Sequence, residues 1–275
     1  MSTTDRIAIA VEPAPGRAPR RPWSRLPLLL LPLLGLAVWQ AVIWVASPRE
    51  WLLPSPGAVA EVLWTDRDRL WFHAQATIAE AAVGFALAAV LGTALAVAIA
   101  SSPHVERTLY PWIVASQAIP ILAVAPLVAV WLDYGTAQVM VAFVIAFFPV
   151  VVTGVDGLRS VDPALGAAVR TLGASRGWVF RRVTMPAALP VLFSGLRMAA
   201  VFAVTGAVVA EYVGADRGLG YLSEFSTAEF RTARSFAAIA LLAAIGLAFF
   251  AAVGLAERLA LPHRRHPSRP TWRRR

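Results

Sequence analysis

Apolar residues fall along this chain in long unbroken blocks, not in strict alternation or at the three-to-four spacing of an amphipathic helix. Each block approaches the roughly 20 residues that a helix needs to cross a hydrocarbon core. The blocks lie near Leu26 to Ala46, Thr77 to Ala100, Leu109 to Leu132, Ala137 to Val155, Ala187 to Ala210 and Phe236 to Ala256. Ala81 to Ala100 and Pro111 to Leu132 contain no ionised side chain. Apolar on every side, such blocks suit lipid, where a helix satisfies its own backbone polar groups. The pattern predicts an all-α membrane protein with about six transmembrane helices. Only Asp133, Tyr134, Gly135 and Thr136 separate the third and fourth blocks, which predicts a helical hairpin.

Composition supports a bilayer and charge gives a direction. The chain is 58% apolar, with ten Trp and 15% charged residues, well below the charge content of a soluble domain. All basic residues are Arg, and they flank the apolar blocks. An inside amino terminus puts 18 of them on the cytoplasmic side and six outside, with Arg197 left within a span. That excess predicts both termini in the cytoplasm. The net charge of +9 is thereby explained without nucleic acid. The first block is longer than a signal-peptide core and lacks a clear cleavage pattern after it, so it is kept as a mature helix. The expected organisation is a basic, disordered cytoplasmic tail over 1–25, a transmembrane domain over 26–258 with an inside loop at 156–186, and an Arg-rich cytoplasmic tail over 259–275.

Candidate chemistry is sparse. There is no cysteine, and four histidines offer little for a metal site. No Gly-x-Ser-x-Gly or His-Glu-x-x-His motif occurs, which argues against a membrane protease. With no lysine, a phosphate loop for ATP is impossible. No catalytic, cofactor or metal residue is therefore expected. A secondary transporter or channel working without an ATPase remains an alternative, although no clear internal repeat is visible.

The inside loop is too patterned for a plain linker. From Asp162 to Pro186 it predicts helix, break, helix. Asp162 is suited to cap the first helix and Pro163 to open it. Gly173 fits the left-handed position that ends a helix, and Ser175 can cap the next. Leu165, Val169 and Leu172 share one face of the first helix, and that face needs a partner. In the second helix, Trp178, Val179 and Val183 alternate with Arg176, Arg181 and Arg182. Pro186 is expected to end this helix and open the fifth span.

These residues resemble the cytoplasmic motif of permease subunits of binding-protein-dependent ABC importers: Glu-Ala-Ala, three residues, Gly, nine residues, an aliphatic residue, one residue, Leu-Pro. Here the series is Ala167-Ala168-Val169, Gly173 and Val183-Thr184-Met185-Pro186. The spacing matches throughout, with Ala167 in place of the Glu and Met185 in place of the Leu. The resemblance runs from about Trp51 to Leu261, including Trp51 to Pro56, Ala210 to Gly214 and Gly218 to Tyr221. It implies that the loop is a coupling helix seated in a separate ATP-binding subunit, with Ala167, Ala168, Gly173 and Pro186 as motif positions. The apolar contact itself is assigned to Leu165, Val169 and Leu172. The implied assembly pairs two copies of the permease with two ATPases and an extracytoplasmic solute-binding protein in a bacterial inner membrane. ATP is bound by the partner, and this chain is not an enzyme. Nitrate, sulfonate, taurine, riboflavin and thiamine-precursor pyrimidines are the solutes of similar permeases. Ser194 to Arg197 and Gly206 to Ala215 look most like the pyrimidine branch.

Polar residues within the spans are candidates for the path, because burying them in a bilayer is costly. Gln117 and Pro120 lie in the third span, where Pro120 and Pro126 should open gaps in hydrogen bonding; Pro149 does the same in the fourth. Arg197 either faces an anionic solute or reaches Asp156 or nearby carbonyls. Glu211 is a path candidate at a span end, although there, as at Glu80, interfacial solvation is the simpler expectation.

Overall fold

The computed structural model describes residues 26–133 and 135–261, and no strand occurs among them. The tail at 1–25, most of the tail at 259–275, and Tyr134 lie outside the described residues. Two units are distinguished, one ending at Pro48 and one beginning at Arg49. The first contains α1 (Leu26–Ala46), which coincides with the first expected span. Its large side chains, including Leu31, Trp44 and Val45, are exposed, as expected of a helix that meets lipid.

The second unit holds α2 (Pro56–Thr65), α3 (Arg67–Ser101), α4 (Pro103–Ser116), α5 (Ile121–Trp131), α6 (Thr136–Arg159), α7 (Pro163–Thr171), α8 (Arg176–Val179), α9 (Met185–Glu211), α10 (Leu219–Ala228) and α11 (Thr232–Ala260). Among the described residues, four helical stretches are long and apolar enough to cross a membrane: α3, α6, the continuous run Arg176–Glu211, and α11. The third expected span is not one helix. It is α4 and α5, which meet at 96° and together make a fifth crossing or a re-entrant loop. The break falls at Pro120, whose backbone is extended at ψ 112° and which has no N–H to continue the helix. Pro126 and Pro149 sit inside α5 and α6 without ending them. Over its described side chains α1 is a shorter apolar helix, Leu30–Ala46. Among the described residues the six expected crossings are therefore represented by four helices long enough to span, up to five if the bent pair is one span, and the shorter apolar helix α1.

At the hairpin between α5 and α6, Gly135 has φ +86°. Its N–H donates to Gln138 Oε1 at 2.7 Å, so the first turn of α6 is capped from within.

Small residues set the packing of α3, α6 and α9. Helices in lipid gain little from burying apolar surface, and close backbone approach supplies van der Waals contact instead. Ala142 of α6 is the meeting point. A Cβ on Gly84 would lie 2.7 Å from the Ala142 Cβ, and one on Gly206 would lie 2.6 Å from its Cα. Gly154 bears on Ala96, and Gly195 on Thr153. The Gly206 contact is with backbone, which cannot swing aside. Gly206→Val is therefore expected to destabilise the bundle by about 1–3 kcal/mol, seen as a lower thermal midpoint in detergent; an unchanged midpoint would count against this packing.

Candidate functional site: the exposed loop and the broken span

The segment between α6 and α9 has the helix, break, helix form expected for it. Asp162 Oδ1 accepts from Ala164 N at 2.8 Å, and Pro163 occupies the first turn of α7. The helix ends in a Schellman turn. Gly173 N donates to Arg170 O at 3.0 Å and Ala174 N to Val169 O at 3.4 Å, with Gly173 at φ +90°. Ser175 Oγ then accepts from Trp178 N at 3.3 Å and starts α8. Gly166 rests on buried Val179, so α7 lies against α8.

One expectation fails here. Pro186 does not end a helix: the chain runs helically from Arg176 to Glu211. It does so through a π-helical turn at Phe180–Thr184, where Met185 N donates to Phe180 O. The wider i to i−5 turn makes room ahead of a proline that can neither donate nor tolerate a carbonyl close to its ring.

The apolar side chains of α7 are left uncovered. Leu172 is 87% exposed and Leu165 54% exposed, with Val169 half-buried between them. Ala167 and Ala168 are exposed as well. Caps at both ends therefore hold a short helix that offers leucines to whatever lies beyond this chain. Nearby, an ion pair between Glu106 and Arg159 ties the start of α4 to the end of α6.

A second feature lies at the bend between α4 and α5. A cavity of about 510 Å³ is bounded there by Ser116, Gln117 and Pro120 of the bend, Phe148 and Pro149 of α6, and Phe202 and Thr205 of α9. Gln117 and Pro120, expected from sequence as path residues, are thus brought together. Among the described residues, no ionisable side chain lines the cavity. Its chemistry is one amide, two hydroxyls and two phenyl rings, beside a helix end whose backbone groups lack helical partners.

The profile of the family described as "Binding-protein-dependent transport system inner membrane component" matches residues 71–260. The chain belongs to this family. It is 38% identical to the formylaminopyrimidine transport permease protein of Halalkalibacterium halodurans, covering 82% of this chain and 92% of that one. It is also 38% identical to the riboflavin transport system permease protein of Chloroflexus aurantiacus, over 86% and 90% of the two chains. Among solved structures, a chain of the inward-facing MetNI methionine ABC transporter superposes with a TM-score of 0.61, covering 72% of this chain and 97% of that one at 20% identity. The helical fold is thus that of an ABC permease.

In this permease the remaining two path candidates lie elsewhere. Arg197 pairs with Glu257 of α11 and sits 5.6 Å from the Phe250 ring. Asp156 is not its partner, and it does not line the cavity. Residues 60 positions apart in sequence give no local sign of this pairing. Glu211 is not solvated at an interface, being only 1% exposed, and Glu80 is 6% exposed. Thr77 Oγ1 donates to Glu211 Oε1 at 2.6 Å, and Gly220 N to Glu211 Oε2 at 2.5 Å. The sequence signal was present: Gly218 and Gly220 follow shortly after a glutamate, and a Cβ at either would strike its carboxylate group.

Proposed function

We propose that this permease forms the solute path of an ATP-driven bacterial importer and takes its power stroke through α7. The carrying observation is the rigidly capped α7 with Leu165 and Leu172 bare. A carrier acting alone has no use for uncovered leucines on a polar loop, whereas a groove in an ATP-binding subunit would bury them. In this reading ATP is bound and hydrolysed on that separate subunit, and this chain holds no cofactor. A second copy of the chain completes the path, an extracytoplasmic solute-binding protein delivers the solute, and the Arg-rich ends and the 156–186 loop face the cytoplasm of an inner membrane.

The cavity at the broken span supports a neutral heteroaromatic solute, with a thiamine-precursor pyrimidine favoured over sulfonate, nitrate or taurine. Relatives at 38% identity carry formylaminopyrimidine and riboflavin. Phe148 and Phe202 can flank a planar ring while Gln117 offers both a donor and an acceptor to its edge. A sulfonate would bring a permanent negative charge into a site with no cation to meet it.

Proteoliposomes containing the permease with its ATP-binding subunit and binding protein are expected to accumulate labelled formylaminopyrimidine only when ATP is supplied. Gln117→Leu should lower that uptake about tenfold, the loss of a hydrogen bond worth ~1.4 kcal/mol. Uptake without ATP would favour the self-sufficient carrier. Preferential uptake of taurine would overturn the substrate assignment while leaving the ATP-driven reading intact.

A further inference from the structure

The ion pair of Glu106 and Arg159 joins two helix ends that belong to neither site. Glu106 is in the first turn of α4, whose N-cap Ser102 accepts from Val105 N at 3.5 Å. Arg159 is the last residue of α6, and Ser160 closes that helix by donating its N–H to Asp156 O at 2.9 Å. Each charge suits its own helix end, a carboxylate at an N-terminus and a guanidinium at a C-terminus. Their contact ties the two ends directly to one another.

Short runs of chain connect this pair to the exposed loop on one side and to the cavity on the other. Only Ser160 and Val161 separate Arg159 from Asp162, the residue that caps α7. In the other direction, the 14 residues of α4 extend about 21 Å at the α-helical rise per residue. Pro111 lies inside α4 without ending it. The helix ends at Ser116, and Ser116 and Gln117 line the cavity at the bend. Along its length α4 packs chiefly on α3, with Val105, Tyr110 and Ile113 against a small apolar cluster. Apolar packing is non-directional, whereas a charge-assisted hydrogen bond fixes a point of contact. The Arg159 and Glu106 side chains are 46% and 29% exposed, so water screens the pair and it adds little to stability. Its effect is on position.

We propose that Arg159 and Glu106 are positioning residues for transport: their ion pair links α7 to the bend of the broken span, so that displacement of α7 carries α4 with it and reshapes the solute cavity. This rests on the reading of α7 as the coupling element. Without the pair, α7 and the end of α6 still move with the ATPase. α4 no longer follows, and hydrolysis continues without matching uptake.

The test uses the full-length permease with its ATP-binding subunit and binding protein in proteoliposomes. The chain has no native cysteine, so nitroxides on Trp112→Cys of α4 and Val90→Cys of α3, both exposed positions, report how α4 shifts when vanadate traps the ATPase. A change in their separation is expected in the otherwise wild-type chain, absent in Arg159→Glu, where two carboxylates repel, and restored when Glu106→Arg is added. Uptake of labelled formylaminopyrimidine per ATP hydrolysed should fall about fivefold in the single variant and recover in the swap. The rate of hydrolysis and the thermal midpoint should hold throughout. Arg159→Lys, which keeps the charge, should keep both readouts. A swap that fails to restore the shift overturns the proposal. So does a single variant that loses hydrolysis, midpoint and uptake together, which would make the pair a structural contact only. ATP-driven uptake with no shift of α4 in the otherwise wild-type chain overturns the link alone, whereas uptake indifferent to ATP overturns the reading of α7 on which it rests.

Discussion

Gly173→Val is expected to remove most ATP-driven uptake while leaving the permease inserted and folded. Gly173 closes α7 at φ +90°, a conformation that costs a residue with a Cβ roughly 1–2 kcal/mol and a β-branched residue more. No atom lies within 4 Å of the place a Cβ would occupy, so the penalty is in the backbone, not in packing. The chain can relieve it by opening the Schellman turn, which redirects α7 relative to α8 and to the continuous helix that runs into α9. If α7 is the coupling element, misaiming it stops the transmission of ATPase closure to the spans. Uptake at least tenfold below wild type at equal membrane abundance is the expected result, with Gly173→Asn milder because Asn tolerates the left-handed region. Near wild-type uptake by the valine variant would mean that the turn geometry does not carry the coupling.

The paired substitution Leu165→Asp with Leu172→Asp is expected to detach the ATP-binding subunit. Both leucines are exposed in this chain, so aspartates there meet water and cost the fold little. In a complex the same positions would be buried, where each leucine contributes about 1.5–3 kcal/mol and each carboxylate would have to shed its hydration. The combined loss is on the order of 3–6 kcal/mol, a fall in affinity of at least about a hundredfold. Solubilised complexes should separate on size exclusion, with the permease keeping its own thermal midpoint. A lowered midpoint would instead show that the leucines pack within the chain.

Much of this organisation was legible in the sequence. Long apolar blocks located the spans because burial in lipid leaves no polar face to obscure them. The loop between α6 and α9 was readable residue by residue, since Asp162, Gly173 and Ser175 act on backbone groups within a few positions of themselves. What escaped depends on partners distant in sequence or on small departures from helix geometry. Pro120 breaks the third span while Pro126 and Pro149 do not, and nothing local distinguishes them. The π turn before Pro186 keeps a helix going where proline normally stops one. Arg197 waits for Glu257, and Glu211 for Thr77, each across a helix–helix contact that the pattern of apolar blocks does not reveal. The short helix α10 was also missed: its ten residues are too few to read as a span, and its stability comes from side chains of α3 and α9.

The central claim is that this permease works through a separate ATPase bound at α7. The most direct measurement is purification of the tagged full-length chain from its native cells in mild detergent, followed by mass spectrometry of what accompanies it. The account predicts an ATP-binding subunit in about equal amount with the wild-type chain and its absence with the Leu165→Asp, Leu172→Asp pair. A chain that purifies without any ATP-binding subunit, even after cross-linking in the membrane, would contradict it.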